Sequence, residues 1–312
     1  MAQMQTRLPQ MNGKAFLTDG GLETTLIFQD GLDLPLFAAF TLLEDARGSA
    51  AIERYLRKYC ELAVRDGKGF VMDTPTWRAS KRWADELGVS ETSLRLAHAK
   101  AIEKLMTLRV EYETPQSPFV INGVLGPQDD GYNPSHLMDA ADAESYHAQQ
   151  IGWFADFGAD MVSAITMTYV EEAIGIARAA REANMPSVIS FTVETDGKLP
   201  SGQELPEAIM QVDRETGNAP AYFMINCAHP DHFTHVLNGE SGWRERVMGV
   251  RANASRMSHA ELDEAEELDD GDPMELGAQY RQLKTMLPNL NVFGGCCGTD
   301  HRHVDAISMA VN

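Results

Sequence analysis

The stretch LNVFGGCC, Leu290 to Cys297, reads as a β-strand: a short apolar run closed by glycines, with a helix starting beyond it at His301. Back along the chain, seven further runs of the same kind come into view: AFLTDG (Ala15 to Gly20), GFVMDT (Gly69 to Thr74), SPFVING (Ser117 to Gly123), ADMVSAIT (Ala159 to Thr166), SVISFTV (Ser187 to Val193), AYFMINC (Ala221 to Cys227) and RVMGVRAN (Arg246 to Asn253). Between them lie longer stretches of helical periodicity: 50–65, 80–113 with a break near Gly88, 142–157, 171–183, 204–215 and 274–287. Strands that alternate with helices pair in parallel and wrap into a helix-covered sheet. Eight such units over 312 residues predict a single (β/α)8 TIM-type barrel, one domain over residues 1–312. A doubly wound open sheet is the competing architecture, and it is disfavoured because no G-x-G-x-x-G follows the first strand.

Composition narrows the function classes. Hydrophobic residues make up 44% of the chain, enough for a sizeable core, and no run approaches the ~18 apolar residues of a membrane span. Met1 to Lys14 is polar and lacks a signal peptide's apolar segment, so a cytoplasmic protein is expected. The net charge of −20 repels phosphate backbones, which argues against nucleic-acid binding. Part of that charge sits in ELDEAEELDDGD, Glu261 to Asp272, read as a solvated loop or frayed helix. The oligomeric state is left open, a homo-oligomer included.

In a barrel of this type the active site lies at the C-terminal ends of the strands. Asp19, Asp73, Cys227, Asn253, Cys296 and Cys297 all fall there and can converge on one mouth. Four cysteines in such a chain do not suggest a disulfide framework. Cys60 lies on a helical stretch and reads as core. Cys227 ends the sixth strand, and the vicinal pair Cys296-Cys297 ends the eighth between Gly294, Gly295 and Gly298, which free the backbone to turn. Three thiolates with one position left over describe a catalytic rather than a structural zinc site. His229, His301 and His303 lie nearby, but a fourth protein ligand would close that site.

TDGGLETTL (Thr18 to Leu26), the pair Asn226-Cys227 and GGCCGT (Gly294 to Thr299) resemble the homocysteine S-methyltransferase family over nearly the whole chain. The resemblance implies a TIM-type barrel with Zn2+ held by Cys227, Cys296 and Cys297. It implies an enzyme of methionine biosynthesis that moves a methyl group from a small sulfonium or quaternary ammonium donor to homocysteine or a related thiol. It also implies that Asp19, Gly20 and Gly21 border the substrate pocket, the alternative being a turn with a helix-capping aspartate. Asn226 is expected either to orient the site or to be a buried structural amide. Thr166 matches the Thr of a Glu-Thr pair that ends the family's fourth strand, but Ile165 stands where the family carries the Glu that helps bind the amino group of homocysteine. A different thiol acceptor, or another residue holding the amine, is the consequence.

Trp77 and Trp83 after the second strand, with Trp153 and Trp243 as further candidates, offer aromatic surface for a cationic donor, against the plainer expectation of core packing. Glu194 and Asp196 follow the fifth strand and can add negative potential. No cobalamin- or folate-binding module is evident, so a small free donor is expected. The competing class is a non-catalytic redox or metal-sensing protein built on the Cys296-Cys297 pair.

Overall fold

Each of the eight apolar runs forms a strand: β1 (Phe16–Leu17), β2 (Gly69–Asp73), β3 (Phe119–Leu125), β4 (Met161–Met167), β5 (Ser187–Phe191), β6 (Tyr222–Asn226), β7 (Val247–Ala252) and β8 (Val292–Gly295). They pair in parallel, in chain order, and β8 returns to β1 to close the barrel. This computed structural model describes residues 8–238 and 242–311, so the first seven residues of the polar N-terminal segment lie outside the described residues. No described helix is long and apolar enough to cross a membrane.

Side chains of successive strand residues point to opposite faces, and this sorts the core in two. Leu17, Phe70, Met72, Ile121, Val162, Ile189, Phe223 and Phe293 pack outward against the helices. Phe16, Val71, Val120, Met161, Val188, Tyr222 and Val292 fill the barrel interior. Each such fully buried side chain contributes about 1.5–3 kcal/mol relative to exposure. Below them, the turn Pro9–Asn12 plugs the N-terminal end, where the Gln10 amide donates to the Tyr222 hydroxyl at 3.3 Å.

Higher in the barrel the inward positions turn polar. The Asn122 amide donates to Asp73 at 2.7 Å and accepts from the Ser163 hydroxyl at 3.0 Å. This layer separates the apolar plug from the mouth.

The helices keep the expected order, with ends set by their caps. Asp45 caps Ala46–Asp66 through the Gly48 amide, and Gly67 ends it at φ 62°. The stretch 80–113 divides as expected: Lys81–Leu87 stops at Gly88, which takes φ 68°, and Ser90 caps Glu91–Tyr112. Helices Ala140–Phe157, Val170–Glu182, Leu205–Thr216, Pro273–Met286 and His301–Ala310 complete the outer layer.

Candidate metal centre and its cavity

Cys227 directly follows the last residue of β6, and Cys296 and Cys297 directly follow β8. β6 and β8 flank β7, so the three cysteines reach one side of the mouth. The chain turns sharply after β8: Cys296 donates from its amide to Ala252 O at 2.9 Å, and its carbonyl accepts from the Thr299 amide at 3.1 Å. Gly298 makes that turn at φ 78°. Gly294 and Gly295 serve differently from the expectation. They stay in the strand, and a side chain on either would run into Thr18 or Thr299.

The three sulfurs lie within 4.8 Å of one another, and this trio could hold a metal ion. Cys227 Sγ and Cys297 Sγ are 3.8 Å apart. A tetrahedral zinc with Zn–S near 2.3 Å spaces its sulfurs about 3.8 Å apart, so the donor set fits the ion in both chemistry and spacing. Without metal the thiols share charge unequally. Hydrogen bonds from Cys296 and Cys297 hold Cys227 well below the ordinary thiol range. The same contact with Cys227 pushes Cys296 up to about 12 and holds Cys297 well above the ordinary thiol range too. Cys60, by contrast, is buried in the core, and burial pushes it up to about 12.

Asn226 is fully buried and ties the neighbouring strands together. Its carbonyl oxygen accepts from the Thr166 amide at 3.0 Å and the Ser190 hydroxyl at 2.6 Å. Its amide nitrogen donates to the Thr166 hydroxyl at 2.8 Å and lies 3.9 Å from Cys296 Sγ. Thr166 and Cys227 both take the left-handed conformation, at φ 67° and 52°. Non-glycine residues rarely adopt it, least of all a β-branched threonine. The Asn226 contacts hold Thr166 there.

Beneath the cysteines lies a residue the motifs do not include. Arg251 of β7 is buried, paired through Nη2 with Asp19 at 2.5 Å and through Nη1 with Asp73. Its Nε donates to Gly295 O at 3.1 Å, one residue before Cys296. Burial opposes its charge, but Asp73 and Asp19 outweigh that and keep it firmly protonated. Asp19 also accepts from the Tyr55 hydroxyl at 3.1 Å. Burial, aided by Asp73 and opposed by Arg251, raises Asp19 to about 7. It caps no helix: the N-cap of the turn Leu22–Thr24 is Gly21.

These groups line one cavity of about 370 Å³ at the C-terminal end of the barrel. Asp19, Gly20, Gly21, Thr166 and the three cysteines all border it, whereas Asn226 sits behind the lining. Gly21 is pressed close to the loop, for a Cβ there would come within 2.7 Å of Cys296 O. Ile165 forms part of the wall, as does Glu23, whose carboxyl burial raises to about 7. Of the tryptophans only Trp77 lines it, with its indole N–H donating to Ile165 O at 3.1 Å. Trp83 packs in the core under the Arg78 guanidinium, which lies 3.8 Å from the ring centroid, and Trp153 and Trp243 are buried elsewhere.

Other expectations are corrected. Asn253 is buried with its backbone N–H donating to Ala228 O at 3.2 Å, and it does not line the cavity. Glu194 and Asp196 do not line it either. The acidic run is more than a solvated loop, because Leu262, Asp263, Glu267 and Asp269 form part of the cavity's rim. His229 and His303 pair with Asp231 and Asp300. Among the described residues, the three cysteines are the group with metal-ligand spacing.

Two side chains from distant loops meet above the cysteines. The Tyr132 hydroxyl lies 3.6 Å from both Cys227 Sγ and Cys297 Sγ. Its ring stacks on His259, centroids 4.0 Å apart and planes at 10°. Burial and the facing thiols push the Tyr132 phenol well above its ordinary range. No motif flagged either residue. The dipeptide Gly131-Tyr132 after β3 and a histidine two residues before the acidic run were the only signals available.

The chain matches the family model described as homocysteine S-methyltransferase over residues 16–311. Among solved structures, the metallated and oxidized forms of the homocysteine methyltransferase MmuM from Escherichia coli superpose with a TM-score of 0.76 at 18% identity, covering 98% of this chain and 99% of that one. The apo form of the same enzyme superposes at 0.69 with 19% identity and the same coverage. At these identities the likeness is one of fold. No curated protein matches the chain in sequence.

Proposed function

This chain belongs to the homocysteine S-methyltransferase family and is a thiol methyltransferase, and from that premise we propose a zinc-dependent transfer of a methyl group from a small sulfonium or quaternary ammonium donor to homocysteine or a related thiol. The observation that carries the reading is the convergence of Cys227, Cys296 and Cys297 on one cavity that also holds Asp19, Gly20 and Gly21. Cys227, Cys296 and Cys297 would hold the zinc, leaving one position for the acceptor sulfur. When bound, zinc supplies an acceptor thiol that is deprotonated at neutral pH, where a free thiol of pKa about 8.5 is only a few per cent thiolate.

The remaining work falls to this chain's own residues. Asn226 and Thr166 fix the backbone around the cysteines, so the acceptor meets a preset geometry. When ionised, Asp19 and Asp73 outnumber the single Arg251 charge, and Glu23, Asp263 and Asp269 add to that excess around the cavity, whereas Asp130 is paired with Arg78. An acidic enclosure favours a cationic donor. Trp77 adds aromatic surface beside it, with the Arg78 guanidinium already over its ring at 5.0 Å. Donor methyl and acceptor sulfur must be held in line at roughly 3–3.5 Å, and the methyl transfer itself needs no general base. Ile165 puts an apolar surface where relatives are expected to carry a carboxylate, which supports an acceptor whose amino group is held elsewhere or is absent.

The test is a methyl-transfer assay that crosses several thiols with S-methylmethionine, S-adenosylmethionine, dimethylsulfoniopropionate and betaine. X-ray absorption on the same protein should detect a fourth sulfur at about 2.3 Å from zinc when the acceptor is added. An unchanged shell at saturating acceptor, in an enzyme that turns over, would refute the zinc role. A metal-free protein with a disulfide among these cysteines would favour the redox reading instead.

A further inference from the structure

Tyr132 lies between β3 and the helix Ala140–Phe157, far in sequence from every cysteine. Its hydroxyl is nonetheless 3.6 Å from Cys227 Sγ and 3.6 Å from Cys297 Sγ, within reach of a hydrogen bond to sulfur. The ring is held by its stack on His259. His259 is itself fixed at both nitrogens: Nδ1 is 3.0 Å from Glu194 Oε1, and Nε2 is 2.8 Å from Cys227 O and 3.3 Å from the Thr192 hydroxyl. Elements after β3, β5, β6 and β7 therefore meet in one unit over the metal-binding sulfurs.

We propose that Tyr132 donates a hydrogen bond to the metal-bound thiolates, and that His259 and Glu194 are positioning residues that aim it. The proposal rests on the metal site described under Proposed function. A thiolate is an acceptor without a proton of its own, so the hydroxyl between Cys227 and Cys297 can only donate to them. Three thiolates on a divalent ion leave a net negative charge, and an acceptor thiolate adds another. In a partly buried site that excess needs dipoles aimed at sulfur. A phenolic O–H supplies one without adding charge. Because His259 begins the short helix His259–Asp263 that leads into the acidic run, the same contacts tie the start of the cavity's rim to the metal centre.

Tyr132→Phe keeps the ring and its stack and removes only the hydroxyl. The probe is cobalt(II) in place of zinc, read by its sulfur-to-metal charge-transfer band and by competition with a chelator. Loss of an outer partner of this kind typically weakens metal binding by about 10- to 100-fold, and that loss is expected here. The band should move to lower energy, because a thiolate stripped of a hydrogen bond gives up an electron more easily. His259→Ala should move it in the same direction, with most of that movement gone in the Tyr132→Phe background. Should Tyr132→Phe fail to fold, His259→Ala reads the same coupling. An unmoved band and unchanged affinity in folded, cobalt-loaded variants overturn this proposal alone. A wild-type protein that takes up neither cobalt nor zinc overturns the metal-site reading, and this proposal with it.

Discussion

Replacing Arg251 with methionine isolates the electrostatics beneath the metal centre. Methionine fills comparable space but leaves Asp19 and Asp73, both buried, without their shared cation, and Gly295 O without its donor. Breaking a buried pair from one side typically costs about 3–5 kcal/mol, because the partner charge stays behind. The expected loss is of that size at pH 8. It should shrink at lower pH for a reason the geometry supplies. Burial already raises Asp19 to about 7 with Arg251 present, and Arg251 is the main group opposing that rise. Without it, the folded-state value goes up further. A carboxyl raised in this way favours the folded state below its unfolded value, and the contribution is lost as pH rises through the folded value. At pH 5 the Asp19 carboxyl can protonate and hydrogen-bond, so the variant should recover much of its stability relative to wild type. The assay is urea unfolding of chelator-treated protein at pH 5 and pH 8, with Arg251→Lys as a variant that keeps charge but not the fork geometry. A methionine variant within about 1 kcal/mol of wild type at both pH values, or one that suffers more at pH 5, would refute the reasoning.

Serine in place of Cys227, Cys296 or Cys297 should sharply reduce bound zinc, since a neutral hydroxyl is a poor replacement for thiolate; metal analysis of the three purified variants checks it, and undiminished zinc in all three ends the proposal. Glu23, raised from 4.5 to about 7 by burial, gains charge as pH rises through neutrality alongside Asp19, so KM for a cationic donor should fall between pH 6 and pH 8, and Glu23→Gln should shrink that fall to the part Asp19 contributes. The enzyme should discriminate little between homocysteine and its analogue lacking the amino group, and Ile165→Glu should raise the preference roughly 10- to 150-fold in kcat/KM with a common donor, the equivalent of one charge-assisted hydrogen bond. A strong native preference for the amino-bearing thiol would instead assign the amine to another carboxylate, with Glu23 placed to receive it.

The barrel was legible because each of its signals is local. Apolar runs, glycine stops and capping residues fall in the order a (β/α)8 chain requires, and the eight strands form within a few residues of the expected runs. The cysteine trio was legible for a related reason. Barrel topology sends the ends of β6 and β8 to one mouth whatever the intervening sequence does, and a vicinal cysteine pair between glycines has few other uses. The acidic run was misjudged because composition reports charge but not place. Leu262 and Leu268 line the cavity together with Asp263, Glu267 and Asp269 of the same stretch.

What stayed hidden depends on partners far apart in the chain. Nothing in VMGVRAN marks Arg251 as an inward residue. Its face is set by a register shift in the β6–β7 pairing, between Phe223 and Met224, and its meaning by carboxylates at the ends of two other strands. Thr166 makes the same point from the opposite direction. A motif match marked it, yet its importance lies in a left-handed backbone that no sequence reveals. Such a conformation costs on the order of 1–3 kcal/mol and persists where the surroundings over-determine it. Here Asn226 provides that constraint with three contacts to Thr166 and Ser190, and it immediately precedes Cys227, the other residue in the left-handed region. One buried amide thus holds the strained Thr166 directly and ties it to the strand that leads into Cys227. Asn226→Ala should then release Thr166 and untie β4 from β6, and metal analysis should show lowered zinc content, which makes the amide a determinant of the backbone beside the cysteines rather than a bystander in the core.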